Sequence, residues 1–252
     1  MIKQFLIKQK KIAKGIYFTY LKPRGEKYND KEFWDKSIYT NGISDRQTIS
    51  PEQSTISAKY HYCSVELLIL KHFIKQNVDI NNSTLLDIGS GSGHWIDFYK
   101  SLGFNKIIGV DVSKSSIDYL KNKYPNESGI SLYHDKAIEL LNKLDKQVNI
   151  VNAIGVMFHI VDDYEWKETI EKIATLIPKN GLFIVGGHFG LINGVNVQRD
   201  KNNHINKRLR SKAVWKYTLK KAGFTKLKFY NNNAYLWIKD TLPENNILIA
   251  TK

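Results

Sequence analysis

The sequence predicts a doubly wound α/β fold: a mostly parallel seven-stranded sheet with helices on both faces, an antiparallel last strand and an N-terminal helical cap. Three observations carry this. From Thr84 onward short apolar runs alternate with amphipathic stretches, the first run passes straight into a glycine-rich turn, and the first three runs each bring a carboxylate to their C-terminal end.

The elements follow in order. Residues 1–22 set Ile2, Phe5, Leu6, Ile12, Ala13, Ile16 and Tyr17 between lysines at loosely helical spacing, which reads as a peripheral helix. Residues 23–57 hold Pro23, Gly25, Gly42 and Pro51 among many Ser, Thr and Asn, and read as loops around a short helix near Glu32 to Ile38. Residues 58–76, with Tyr60, Val65, Leu67, Leu68, Leu70, Phe73 and Ile74, read as a mostly buried helix. The apolar runs are Thr84 to Ile88, Lys106 to Val110, Ile130 to Tyr133, Val148 to Ala153, Gly181 to Gly186, Lys226 to Tyr230 and Asn246 to Thr251. Helical patterns lie between them at His94 to Leu102, Ser115 to Lys123, Ala137 to Leu144, Tyr164 to Leu176 and Ser211 to Ala222. Only Asn231 to Asn245 separates the last two runs, so these are expected to pair antiparallel. The resulting division is a cap over residues 1–57 and a core domain over residues 58–252.

Composition narrows the class. With 252 residues, 42% hydrophobic and 25% charged, the chain is too apolar for disorder and large enough for one sizeable core. No apolar run approaches the roughly 20 residues that cross a bilayer, and the start lacks a signal-peptide core, so a cytoplasmic protein is expected. The single cysteine, Cys63, permits neither an intrachain disulfide nor a cysteine-rich metal site, and no metal is expected. Net charge is +14 and concentrated: residues 1–28 carry eight Lys/Arg against one acid, and residues 199–228 eleven against one. Both regions suit phosphate, nucleic acid or a membrane surface. A usage of 33 Lys, 5 Arg and 22 Asn is also what an AT-rich genome writes without any partner.

The chemistry gathers around Asp87-Ile88-Gly89-Ser90-Gly91-Ser92-Gly93-His94. Glycines two apart at a strand-to-helix turn let a ligand approach the backbone, and the helix that begins near His94 presents free N–H groups. The third glycine comes one residue too early for a dinucleotide fingerprint, and Asp87 would repel a pyrophosphate. A ligand carrying a sulfonium and an ammonium would not be repelled. The second strand ends in Asp111-Val112, where a carboxylate can hold two ribose hydroxyls, and the third in Asp135-Lys136, where Asp135 can accept from an adenine amino group.

With these residues the sequence resembles the class I S-adenosylmethionine-dependent methyltransferases over about residues 84–252. The likeness includes Ile177-Pro178-Lys179-Asn180-Gly181 before the fifth strand and Leu219-Lys220-Lys221-Ala222-Gly223-Phe224 before the sixth. The resemblance implies that Asp87, Gly89, Ser90, Gly91 and Gly93 line the methionine portion of S-adenosylmethionine. It implies further that Asp111 and Val112 meet the ribose, and that Asp135 and Lys136 border the adenine. Asn152, where many relatives carry an acid, would face the methionine or the acceptor, and makes a metal-dependent catechol-type site less expected. Relatives close an N-terminal segment over the cofactor, so Tyr28, Trp34, Tyr39 and Arg46 are candidates there, Trp34 and Arg46 for the cofactor and Tyr39 for the acceptor.

Methyl transfer is an in-line displacement that needs alignment, plus a base when the acceptor carries a proton. The fourth strand leads into Asn152-Ala153-Ile154-Gly155 rather than the Asn/Asp-Pro-Pro-Tyr motif of adenine and glutamine N-methyltransferases, and Cys63 lacks the Pro-Cys context of cytosine-C5 enzymes, which leaves an oxygen acceptor. His188, after the fifth strand, is the preferred base and His159, after the fourth, the other candidate. Arg199, Arg208 and Arg210, three of only five arginines, suit an anionic acceptor. The expected activity is O-methylation of a small anionic acceptor: a phosphorylated, phosphoramidate or nucleotide-linked sugar-type intermediate, as in surface-polysaccharide assembly. The alternatives are an RNA methyltransferase and a cofactor-binding partner subunit without activity of its own. Assembly as a homo-oligomer is left open.

Overall fold

The computed structural model of the chain describes residues 29–49, 54–187, 189–190, 195–199, 205–231 and 246–252, together with Leu6, Gln9 and Ala13. At residues 37–41, 49, 195–199, 231 and 246 it describes the backbone alone. The N-terminal elements are α1 (Asp30–Asn41), α2 (Asp45–Ile49) and α3 (Thr55–Gln76). The core then runs β1 (Thr84–Ile88), α4 (His94–Ser101), β2 (Lys106–Asp111), α5 (Lys114–Lys123), β3 (Ile130–His134), α6 (Ala137–Lys143), β4 (Ile150–Ile154), α7 (Asp163–Leu176) and β5 (Leu182–Gly187). A hairpin of β6 (Val195–Arg199) and β7 (Ile205–Arg210) follows, then α8 (Lys212–Lys221), β8 (Lys226–Asn231) and β9 (Asn246–Thr251).

Seven strands form one sheet in the order β3-β2-β1-β4-β5-β9-β8. The first five are parallel, and β9 enters antiparallel between β5 and β8. The antiparallel pairing expected of the last two runs is thus present. Strand order reverses between β1 and β4, and in such sheets a crevice opens there beyond the strand C-termini.

Alternation along the strands builds two apolar layers, one on each face of the sheet. Leu86, Ile88, Val151, Phe183 and Val185 pack with Leu140, Trp166, Ile170 and Trp215, so α6, α7 and α8 cover one face. Leu85, Ile107, Ile150 and Ile184 pack with Val65, Ile69, Trp95, Tyr99 and Leu120, so α3, α4 and α5 cover the other. Helix starts are fixed locally: the side chains of Ser54, Ser113, Asp162 and Ser211 each accept a backbone N–H of the first turn. Among the described residues no helix is long and apolar enough to cross a membrane.

Three sequence expectations change. The arginine-rich stretch after β5, expected to meet an anionic acceptor, forms a β-hairpin whose β7 buries Ile205, Leu209 and Arg210, a burial that the charged residues of the stretch conceal in sequence. The short cap helix is longer, and α2 follows it unannounced. Residues 58–76 are not mostly buried: α3 begins at Thr55, inside the segment assigned to the cap, and only one of its faces meets the core. The pattern proposed for residues 1–22 lies almost wholly outside the described residues.

Candidate active site

The glycine turn is built for close approach. Gly89, Gly91 and Gly93 all have left-handed backbones, with φ of 75°, 51° and 81°. A methyl group on Gly89 would stand 2.2 Å from Val156 Cγ2, and one on Gly93 2.6 Å from Leu120 Cδ2. Ser90 Oγ closes the turn by donating to the Asp87 carbonyl.

Beneath the turn lies Asp87, fully buried. Its Oδ1 accepts from Asn152 Nδ2 at 2.7 Å, whereas Oδ2 is buried with no hydrogen-bond partner. Burial pushes its carboxyl up to about 6, against the lowering effect of the Asn152 hydrogen bond. Asn152 is itself buried and accepts from the Tyr99 hydroxyl at 3.1 Å. Asn152, expected to face the methionine or the acceptor, thus ties Asp87 to Tyr99. Asp111, at the end of β2, accepts the Gly91 N–H on Oδ2 and the Ser113 N–H on Oδ1, both at 2.8 Å. Each oxygen keeps a second lone pair for a hydroxyl donor. Burial raises its carboxyl as well. Val112, beside it, accepts from His134 through its carbonyl.

The N-terminal helices stand over this rim. Asp35 of α1 accepts from Ser113 Oγ at 2.7 Å and from the Ser115 N–H, at the start of α5. Asp30 pairs with Lys136 at 2.7 Å. Thr48 of α2 is 3.0 Å from where a side chain on Gly91 would begin. Asp45 accepts from Ser92 Oγ at 2.7 Å and meets His94 Nδ1 at 2.8 Å, while Glu66 of α3 takes His94 Nε2 at 2.7 Å. A ring that donates to two carboxylates carries both protons. Burial opposes that charge, but Asp45 and Glu66 outweigh it and raise the imidazole above its ordinary range. Tyr62 stacks on the same ring at 3.6 Å.

Sequence reasoning missed Asp35, Asp45 and Glu66 because nothing local distinguishes an acid that bonds a residue 28 to 78 positions away. His94, written into the turn itself, was the available signal. Of the other cap candidates, Trp34 packs edge-on to His159 at 4.8 Å, and Arg46 lies on α2 beside Asp45. Tyr39 lies on α1 with its side chain outside the described residues, and Tyr28 lies outside them altogether.

Beyond β3, Asp135 is held by Lys143 at 2.8 Å and Lys136 by Asp30, so each meets a protein partner at the edge assigned to adenine. Beyond β4, a cavity of about 160 Å³ is lined by Asp30, Lys136, His159, Ile160, Val161, Asp162 and Glu165. His159 Nδ1 lies 2.8 Å from the Asn206 carbonyl; since a carbonyl only accepts, Nδ1 carries the proton and the basic nitrogen of the neutral ring is Nε2. His188 lies outside the described residues, and so does the side chain of Arg199.

The acceptor grip expected of Arg208 and Arg210 is corrected. Arg208 meets both Asp163 oxygens, at 2.9 and 2.6 Å, and Arg210 donates to Asp163 at 2.9 Å and to the Ile160 carbonyl at 2.9 Å. Arg210 is 1% exposed and lies 4.4 Å from the Trp166 ring. Burial pushes its guanidinium down to about 10, and the two arginines in turn hold Asp163 below the usual carboxylate range despite its own burial. Both are structural pins that fasten the hairpin to the start of α7. Among the described residues no group of three His, Cys, Asp or Glu side chains could hold a metal.

Residues 85–181, which contain the glycine turn, Asp87, Asp111 and His159, match the family model described as a methyltransferase domain. Residues 85–181 form a methyltransferase domain, in a chain with a Rossmann-like methyltransferase fold. Over 109 residues the domain is 28% identical to the ubiquinone biosynthesis O-methyltransferase of Coxiella burnetii; the match covers 43% of this chain and spans less than half, 45%, of that protein. Among solved structures, an S-adenosylmethionine-dependent methyltransferase from Clostridium acetobutylicum superposes with a TM-score of 0.61 at 13% identity, over 78% of this chain and 94% of that one. The magnesium protoporphyrin IX methyltransferase of Synechocystis, solved with bound S-adenosylmethionine, gives 0.58 at 14% identity over 90% and 99%. Those two likenesses concern the fold.

Proposed function

We propose that the protein is an S-adenosylmethionine-dependent O-methyltransferase acting on a small hydroxylated acceptor. The carrying observation is the unpartnered Asp87 Oδ2, a buried carboxylate oxygen under a turn that leaves no room for side chains. An anion without a partner in the interior is costly unless a cation arrives, and the cofactor brings an ammonium and a sulfonium. The residues present therefore fit the group: Asp87 and the turn for its methionine end, Asp111 for its ribose. When bound, S-adenosylmethionine supplies an electrophilic methyl group on sulfur.

The chain's own contribution is positioning and a proton acceptor. Asn206 fixes the His159 tautomer and Trp34 fixes the ring edge-on, so Nε2 is the nitrogen that takes the hydroxyl proton as the acceptor oxygen gains the methyl group. The lining of the adjacent cavity holds three acids and one lysine, and the lysine is paired with Asp30, which favours a neutral acceptor over the phosphorylated one suggested by the arginine count. The named activity of the Coxiella burnetii relative, an O-methyltransferase, supports oxygen as the methylated atom. The test is mass spectrometry of metabolite pools incubated with the protein and methyl-labelled cofactor. A labelled small neutral product supports the reading, and labelled RNA refutes it. His159→Gln should lower turnover by about 100-fold while leaving cofactor affinity unchanged. Full turnover in that variant would transfer the base role to His188.

A further inference from the structure

The outer face of α3 carries an apolar ridge with no role in the site above. Ile56, Leu67 and Ile74 are 83%, 66% and 80% exposed, Tyr60 is 39% exposed, and Cys63 is exposed as well. At about 100° per residue these five positions fall within about 40° either side of one line along the helix, opposite the line of buried Ala58, Val65, Ile69 and Phe73. The ridge runs for about 27 Å. Exposed Leu or Ile side chains scattered singly need no explanation; five apolar positions aligned on one exposed face do.

The charges beside the ridge select its partner. Lys59, Lys71 and Lys75 are exposed, and the only acid of the helix, Glu66, is committed to His94. A second copy of α3 laid antiparallel across the midpoint of the ridge would set Lys59 opposite Lys71, and a parallel copy would set each lysine opposite itself. Residues 1–28 of the same chain, whose apolar positions alternate with lysines, carry eight Lys/Arg against one acid and would meet the same repulsion. We propose that α3 is an in-plane membrane anchor: its apolar ridge enters the acyl boundary of an anionic bilayer while its lysines reach the lipid phosphates.

The full chain is floated with vesicles of phosphatidylcholine alone and of equimolar phosphatidylcholine and phosphatidylglycerol, at low and high salt. Binding to the anionic vesicles that weakens with salt is expected, with a loss of at least about tenfold in Leu67→Asp/Ile74→Asp at unchanged melting temperature. A fluorophore on Cys63 should shift to the blue when the anionic vesicles are added. Absence of vesicle binding by the wild type overturns the proposal. So does equal binding by the double variant, which would assign attachment to the basic segments alone. A wild-type dimer that the double variant splits would assign the ridge to a second copy. A Cys63 fluorophore already blue-shifted without lipid, and unmoved by it, would assign the ridge to another part of the chain. Cofactor affinity is measured in parallel, so loss of anchoring and loss of the methyltransferase reading separate.

Discussion

The rim of the sheet and the elements that close over it are built by opposite strategies. At the rim, each group sits where its own strand or turn delivers it: Asp87 in β1, Gly89 to Gly93 in the turn, Asp111 at the end of β2. Over it, the cap and the hairpin are held by side chains that meet across long sequence distances: Asp45 with His94, Asp35 with Ser113, Asp163 with Arg208 and Arg210. The first kind of construction is written in one window of sequence. The second is written nowhere in particular, and its parts are ordinary residues.

The contrast can be broken from either side. The largest effect is expected from Arg210→Met, which leaves Asp163 half-neutralised and the Ile160 carbonyl without its donor; about 3 kcal/mol of stability should be lost, read as a fall in the denaturation midpoint. Next comes Gly89→Ala. With a left-handed backbone and Val156 Cγ2 only 2.2 Å from the added carbon, this variant should lose about 2 kcal/mol and bind cofactor at least roughly tenfold more weakly by calorimetry.

A pH experiment sharpens the rim. Because the Asp87 carboxyl is raised from 3.8 to about 6, the folded state holds its proton more tightly than the unfolded chain, and this group's contribution to stability falls as pH rises across that window. Binding of a cation runs the other way. Cofactor affinity should weaken as pH drops through about 6, and Asp87→Asn should bind weakly at every pH without that step; a step retained in Asp87→Asn would place the titrating group elsewhere.

The smallest effect belongs to the cap. His94 has a raised folded-state value, so its tie to Asp45 is complete below about 6.5, its ordinary value, and is lost as pH rises through the raised one. His94→Gln should cost about 1 kcal/mol and speed amide exchange at residues 45–48, with no further pH-dependent opening; unchanged exchange would show that Thr48 packing alone holds α2.

These differences explain what the sequence disclosed. The core was legible because strands buried on both faces leave unbroken apolar runs, and β1 and β9 were placed to the residue. The glycine turn and Asp111 were legible because geometry there depends on neighbours in sequence. Arg208 and Arg210 misled because a cluster of guanidinium groups looks the same in sequence whether it awaits a ligand or an internal carboxylate; Asp163, the residue that decides, sits 45 positions earlier. Asn152 was half legible: its strand-end position was readable, but the phenol and the acid that claim its amide arrive from α4 and β1.

That amide has a polarity with chemical weight. Its oxygen faces Tyr99 and its nitrogen faces Asp87, so turning it over would set acceptor against acceptor at the carboxylate, while the phenol could turn its hydroxyl to suit. An aspartate at position 152 would have to share a single proton with Asp87, and the acid beneath the turn would then be masked over much of the neutral range. The protein thus keeps one negative charge where two would cancel its use, and a neutral spacer is what keeps it ionised.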